Sequence, residues 1–277
     1  MRAYVINLAR SLDRRAHITA ELSKTGLDYE IITAVDGRDL DVHDPTVVHP
    51  SLLTLTPFPA GMAGGSSSHV RAYKKIIADG LDKALVLEDD AVLPADLGDL
   101  IDAVAHHMTD AAEVVLLSYD NHEPCQMSRE GSITLPSSEV LALPIDIYQL
   151  KSAGAYIITR EACERLIKCA VPARGGADIW WLFYREGALD RVRCVVPIPV
   201  SKDPSLDSTI GSYSLGNGVK ARLILPLVRR KIPGLRQVVL YRRRLIYRQW
   251  SRSVLVDMPF VEKPSRLEEV DARDADY

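Results

Sequence analysis

Ala84-Leu85-Val86-Leu87-Glu88-Asp89-Asp90 is an apolar run that ends abruptly in three carboxylates. Its four apolar residues, β-branched Val86 among them, read as a buried strand, because a parallel strand covered on both faces is continuously apolar rather than alternating. In open α/β sheets the carboxyl ends of the strands are where ligands bind. Carboxylates placed there suit a divalent cation better than a core. Three adjacent anions also repel one another, so the folded chain needs a cation or a basic side chain beside them. The plainer account is a solvated acidic turn after a strand, and the stretch alone does not separate the two.

Upstream, Tyr4-Val5-Ile6-Asn7-Leu8 reads as a first strand, followed by a helix with Ser11 as candidate N-cap and with Ile18 and Leu22 on one face before Gly26. Tyr29-Glu30-Ile31-Ile32 is a second strand leading into the turn Ala34-Val35-Asp36-Gly37. The stretch from Asp39 to Ala60, with Pro45, Pro50, Pro57 and Pro59, reads as irregular. Ser66-Ser67-Ser68 offers caps for a helix whose stripe is Val70, Tyr73, Ile76 and Ile77, ending near Gly80. Downstream, Val114-Val115-Leu116-Leu117-Ser118 and Ala155-Tyr156-Ile157-Ile158-Thr159 are further apolar strands, the second followed by a helix from Glu161 to Ala170 that Pro172 stops. This alternation predicts an α/β fold, a mostly parallel sheet with helices on both faces, to about residue 207. The boundary falls in the Ser- and Gly-rich stretch Asp207 to Gly218, dividing a catalytic unit, 1–210, from a basic C-terminal segment, 211–277, expected to be helical and amphipathic with an acidic tail.

The 277 residues, 47% of them apolar, suffice for one large domain with an appendage. No run approaches the roughly 20 apolar residues that cross a bilayer, and Met1-Arg2-Ala3 enters a strand rather than a secretory leader, so the expected location is cytoplasmic. Cys125, Cys163, Cys169 and Cys194 lack CxxC spacing and read as reduced thiols, mostly buried. The net charge of −3 hides an asymmetry: no acidic residue lies between Asp207 and Asp257, where eleven Lys and Arg residues, from Lys220 to Arg252, interleave with aliphatic and aromatic ones such as Leu240, Tyr241, Ile246 and Trp250. That mixture is what an anionic membrane surface requires. An ordinary solvated or oligomer-contact face is the alternative. Nucleic acid is not expected, since the aliphatic content is high and no binding motif accompanies it.

Several of these stretches together resemble glycosyltransferase family 25, the bacterial lipooligosaccharide galactosyltransferases and the collagen galactosyltransferases. They are Tyr4-Val5-Ile6-Asn7-Leu8 with Arg10, Asp13, Arg14 and Arg15; Ala34-Val35-Asp36-Gly37; Gly61-Met62-Ala63-Gly64-Gly65-Ser66-Ser67-Ser68-His69-Val70-Arg71-Ala72-Tyr73; and Leu87-Glu88-Asp89-Asp90, in that order. The likeness runs from about residue 3 to 210, through Gly154 to Arg160, Ala177-Asp178-Ile179-Trp180 and Asp207-Ser208-Thr209-Ile210. It departs from the family at Met62, where an acid is common, and at Gly65, where a Cys is common.

The resemblance implies a GT-A-like, Rossmann-type fold, a UDP-sugar donor, usually UDP-galactose, an Mn²⁺ or Mg²⁺ ion, and inversion at the anomeric carbon during synthesis of a lipid-linked cell-surface glycan at the cytoplasmic membrane face. The partners it implies are the nucleotide sugar and a glycan or glycolipid acceptor; the membrane is expected from the basic segment, which lies outside the likeness. Glu88 and Asp90 would be the metal pair, with Asp89 turned to ribose or to a basic neighbour. Asn7, Arg10, Arg14 and Asp36 are the remaining donor-site candidates. Asp178 is the leading base for the acceptor hydroxyl, beside Trp180 and Trp181 on which a sugar could stack, and an N-cap is its plainer role. Asp120 is the alternative base, or simply the start of a loop. His69 is either an active-site residue or a first-turn residue beside its caps. Asp203 and Asp207 are open as further contacts, and no histidine follows His122 to act as a late metal ligand. A metal-dependent phosphohydrolase and a catalytically dead sugar-binding scaffold remain as alternatives.

Overall fold

The computed structural model describes residues 1–53, 58–120, 125 and 127–206. The basic segment assigned to 211–277, and Asp207 with it, lie outside the described residues. The chain opens with β1 (Ala3–Asn7), α1 (Leu12–Ser23) and β2 (Tyr29–Thr33), then a 3-10 turn at Gly37–Asp39 and a short α2 (Pro50–Leu53). There follow α3 (Ala60–Ala78), β3 (Lys83–Glu88), β4 (Ala91–Val92), α4 (Leu97–His106) and β5 (Glu113–Asp120). A hairpin of β6 (Met127–Thr134) and β7 (Val140–Pro144) leads to β8 (Lys151–Thr159), α5 (Arg160–Ala170), α6 (Trp180–Arg185), β9 (Arg191–Val196) and β10 (Ser201–Lys202).

Eight strands form one sheet in the order β2-β1-β3-β8-β5-β9-β7-β6. β1 is parallel to β2 and β3, and β5 is parallel to β9. β8 runs antiparallel to both β3 and β5, and β7 antiparallel to both β9 and β6. Only β7 and β8 therefore oppose the common direction, and the sheet is mostly parallel as expected. The reversal of β8 is the exception to the expected pattern, because a continuous apolar run reports burial on both faces and carries no information on direction.

Alternate residues of each strand feed opposite cores. Tyr4, Ile6, Val86, Leu116, Tyr156 and Ile158 pack with Tyr73 and Ile76 of α3, Leu166 of α5 and Trp180 of α6. Val5, Leu85, Leu87, Val115 and Ile157 pack with Ile18 and Leu22 of α1 and with Leu97 and Ile101 of α4 on the other face. Each fully buried Leu or Ile stabilises the fold by roughly 1.5–3 kcal/mol, so both cores are needed. The path from β1 through α1 to β2 moves to one side of β1, and the path through α3 to β3 returns to the other. The order thus reverses at β1, and the crevice beyond its carboxyl end is the topological switch point where α/β sheets take ligands.

The start of α3 departs from expectation. The helix begins at Ala60, so Ser66, Ser67 and Ser68 lie inside it and cap nothing. Glycines are poor helix formers, which is why Gly61, Gly64 and Gly65 read as a loop. Close packing overrides that propensity: a Cβ on Gly64 would sit 2.7 Å from the Gly37 nitrogen, and one on Gly37 would sit 2.0 Å from the Ala60 carbonyl oxygen. Only two facing glycines let α3 approach the 3-10 turn this closely. Ser68 then locks the contact, its hydroxyl donating to the Gly64 carbonyl (2.6 Å) and accepting from the Val35 amide (2.8 Å).

Candidate functional site

The crevice at the switch point is lined by Leu8 and Arg10 of the turn between β1 and α1, by Arg14 of α1, by Asp36, Gly37 and Arg38, by Gly61, Gly65, Ser68 and His69 of α3, by Glu88 at the end of β3 with Asp89 and Asp90 beyond it, and by Lys202 of β10. Most of the candidates drawn from the sequence therefore converge on one cleft.

Asp89 is buried and fully engaged. Its Oδ2 accepts from Asn7 Nδ2 (2.7 Å), and its Oδ1 accepts from Arg14 Nε (2.7 Å) and lies 2.6 Å from Arg14 Nη2. Asn7 also donates to the Ser11 carbonyl (3.2 Å), so this residue, expected in the donor pocket, ties β1 to the acidic turn and the start of α1. The basic neighbour foreseen for Asp89 is Arg14, which also reaches Asp90 Oδ2 at 2.9 Å. Burial opposes the charge on Arg14, but Asp89 and Asp90 override it and raise its pKa above the ordinary arginine value. Arg15, by contrast, is exposed on the outer face of α1.

Glu88 faces the cleft. Its Oε2 accepts from Lys202 Nζ at 3.0 Å, and its Oε1 lies 3.6 Å from His69 Nε2. Burial would raise the Glu88 carboxyl, but the Lys202 ammonium and the His69 imidazole hold it well below the usual carboxylate range. His69 Nδ1 in turn lies 2.7 Å from the Tyr156 hydroxyl, which is 2.9 Å from that of Tyr73. Burial holds both phenols above their ordinary pKa, so both stay protonated. A neutral imidazole with its proton on Nε2 lets every hydroxyl in the chain donate in one direction, from Tyr73 through Tyr156 to His69. That arrangement aims the imidazole N–H at Glu88.

On the opposite wall Asp36 accepts from Arg10 Nε (2.8 Å), from Arg38 Nη2 (2.6 Å) and from the Arg38 amide (3.1 Å), which caps the 3-10 turn. Arg38 and Arg10 together hold its carboxyl far below the usual range. Arg10 is exposed and Arg14 buried, so the two arginines of the first helix region have different roles: Arg10 can meet a ligand, whereas Arg14 is built into the floor.

Asp178 sits before α6 without capping it; Ile179 occupies the N-cap position. Its Oδ2 instead accepts from the Ser152 amide at 3.1 Å, and it lies close enough to Lys202 to raise that ammonium's pKa, an effect smaller than that of Glu88. A Cβ on Gly176 would stand 2.7 Å from Asp178 Oδ1, so the glycine makes room for the carboxylate, and Met62 lies just beyond. Ser152 has φ +80°, a left-handed conformation that costs a non-glycine residue about 1 kcal/mol or more and persists only where neighbours impose it. Here its amide is held by Asp178 and its carbonyl accepts from Trp180 Nε1 at 3.0 Å. Trp180 is fully buried against Tyr156 and Phe183 and offers no stacking face to a sugar, contrary to expectation. Trp181 is half-buried, beside Tyr148 and under the Arg185 guanidinium. The Asp120 backbone pairs with Lys151 at the same sheet edge. Asp203 turns outward: its amide donates to the Asp90 carbonyl (2.9 Å), and its carboxylate faces His17 and Ser205.

Lys202, which sequence reasoning missed, also lines the cleft. No motif marks it; it reaches the cleft because β10 pairs antiparallel with β4, Lys202 opposite Ala91, immediately after the three acids.

Among the described residues no group of three or more His, Cys, Asp or Glu side chains gathers to hold a metal ion. Glu88 and Asp90 nonetheless both line the cleft, and Asp90 Oδ1 is buried without a hydrogen-bond partner. That donor set fits a hard cation of the Mg²⁺ or Mn²⁺ kind, which is held by one or two carboxylates with substrate phosphates and water completing the sphere. No helix among the described residues is long and apolar enough to cross a membrane.

Comparison with known proteins agrees with the motifs. A family model described as glycosyltransferase family 25 (LPS biosynthesis protein) matches residues 1–180. Procollagen galactosyltransferase 2 of Homo sapiens is 31% identical over 94 residues, 31% of this chain and 15% of that protein. An inactive glycosyltransferase 25 family member 3 of Mus musculus is 32% identical over 101 residues, 31% of this chain and 16% of that protein. The chain thus matches about a sixth of the length of these curated relatives. Among solved structures, a putative glucose-1-phosphate thymidylyltransferase from Bacillus anthracis in complex with a sucrose aligns with a TM-score of 0.34 and 12% identity, over 68% of this chain and 65% of its own. The fold rests on the sheet order itself, and the family on the match over residues 1–180: the chain belongs to glycosyltransferase family 25.

Proposed function

We propose that the switch-point cleft binds a nucleotide sugar, UDP-galactose by default, and transfers its hexose with inversion to a lipid-linked glycan of the lipopolysaccharide or lipooligosaccharide type. The observation that carries this reading is the orphaned Asp90 oxygen in a cleft walled by Arg10, Arg38 and Lys202: cations for a diphosphate surround a carboxylate with an open coordination position. Glu88 and Asp90 would hold an Mn²⁺ or Mg²⁺ ion, whose chemistry there is to neutralise charge on the departing diphosphate.

The chain's own residues supply the rest. Arg14 and Asn7 fix the acidic turn, so Asp90 is placed before any ligand enters. Inversion needs a base on the face opposite the leaving group. Asp178, oriented by the Ser152 amide, takes the acceptor hydroxyl's proton. That oxygen then bonds to the anomeric carbon as the bond to the phosphate oxygen breaks, and the electron pair leaves with the diphosphate. His69, fixed by Tyr156, orients Glu88. We place the protein at the cytoplasmic face of the membrane because residues 220–252 mix cations with aliphatic and aromatic side chains. Flotation with phosphatidylglycerol vesicles should be lost in R242Q/R243Q/R244Q; undiminished flotation would sink that placement.

The donor reading is tested by thermal shift with UDP-galactose, UDP-glucose, UDP-GlcNAc, UDP and GDP, each with Mn²⁺ and with EDTA. At a hundredfold excess over Kd, stabilisation should reach about 2.7 kcal/mol for the right uridine nucleotide, depend on Mn²⁺, and fall away in Asp90→Asn. No shift with any nucleotide would favour a degenerate, sugar-binding scaffold.

A further inference from the structure

Four cations face the cleft, and one of them, Arg14, is built into its floor. Arg14 is buried against Asp89 and Asp90, and Arg10 and Arg38 both close on Asp36. Lys202 differs in its partner rather than in its exposure: Arg10 and Arg38 meet Asp36, whereas Lys202 donates to Glu88, the candidate metal carboxylate, with its side chain 43% exposed. An ammonium on a flexible four-carbon stem changes partner more readily than a forked guanidinium in a planar pair with a carboxylate. Its backbone, in contrast, cannot wander, since Lys202 pairs with Ala91 and the next amide, Asp203, donates to the Asp90 carbonyl. The stem also runs through a reserved gap: a Cβ on Gly154 would lie 2.9 Å from Lys202 Cε.

We propose that Lys202 is a donor-binding residue, an exchangeable cation that covers Glu88 in the free protein and turns to the diphosphate of a nucleoside diphosphate when one enters. The assignment rests on the donor reading above. It explains why the cleft carries a lysine beside a metal-type carboxylate: the ion pair keeps Glu88 charged and placed while the site is open, and the incoming phosphates release Glu88 by drawing the ammonium away. Phosphate oxygens are strong acceptors for a charged donor, so the exchange replaces one charge-assisted hydrogen bond with another.

The test is calorimetric titration of the full chain with UDP and with uridine, in Mn²⁺ and in EDTA, together with Mn²⁺ alone followed by electron paramagnetic resonance. Lys202→Met should weaken UDP binding by about tenfold or more in both buffers, the loss expected for one charge-assisted contact. It should leave uridine binding unchanged and bind Mn²⁺ at least as tightly as the wild type, because Glu88 is freed. Lys202→Arg should retain most UDP affinity. Lys202→Gln, which keeps a polar side chain but removes the charge, should show the same UDP loss, and it keeps the test open should Lys202→Met fold poorly. Equal UDP affinity in the wild type and in folded Lys202→Met or Lys202→Gln would overturn the assignment while leaving the donor reading standing. A wild type that binds neither UDP nor uridine would overturn both.

Discussion

Glu88 and Asp89 are neighbours in the chain, yet they live in opposite electrostatic surroundings. Asp89 points into the protein, where Asn7 and Arg14 satisfy it completely; Glu88 points into the cleft, where its partners are an exposed lysine and a histidine. Strand-like alternation carried one residue past β3 separates them, as side chains at successive positions face opposite ways. Charge in a buried, fully bonded pair is structural, because removing one partner strands the other without water. Charge in an exposed pair contributes little to stability and is available for exchange.

The largest expected effect follows from the buried member. Asp89→Ala should cost about 3–5 kcal/mol in urea unfolding, the typical penalty for leaving a buried charge uncompensated. Glu88→Gln should cost no more than about 1 kcal/mol, as an exposed pair does, yet should abolish Mn²⁺-dependent stabilisation by UDP. Similar stability losses in the two variants would break the contrast between them. An Asp89→Ala protein with wild-type stability would show that Arg14 is satisfied by Asp90 alone.

The same contrast separates what was legible in the sequence from what was not. Glu88, Asp89, Asp90, Asp36 and His69 were readable because each lies within a local motif, and the apolar runs of β1, β3, β5 and β8 located the sheet. Lys202 was not readable: it arrives through a two-residue strand whose pairing with Ala91 is long-range and leaves no local pattern. Trp180 looked like a sugar platform because an aromatic beside an acid has two physical uses, and only the indole contact with the Ser152 carbonyl shows which applies. The reversed direction of β8 and the early start of α3 were hidden for a related reason. Burial and propensity are local properties, whereas strand direction and the Gly37–Gly64 contact depend on what arrives from elsewhere in the chain. The hairpin of β6 and β7 was equally silent, since most of β6 is polar and partly exposed.

The smallest expected effect is the pH response of the Glu88–Lys202 pair, and it has a definite sign. The folded protein holds the Glu88 carboxyl below its ordinary value of 4.5, so the contribution of this carboxylate to stability is fully present above that pH and is lost as pH falls toward the folded value. Glu88 first, with Asp90 behind it, holds the Lys202 ammonium above its ordinary value of 10.5 against the opposing effect of burial. Its contribution is therefore full below that pH and is lost only as pH rises through the folded value. A double-mutant cycle of Glu88→Gln and Lys202→Met should give a coupling of about 0.2–1 kcal/mol that is flat through neutral pH and shrinks on acidification. The Asp89–Arg14 pair, measured by the same cycle, should give a larger coupling, because water does not screen it. If the two couplings matched in size, Glu88 would be as structural as Asp89, and Lys202 would lose the freedom to leave it for a phosphate.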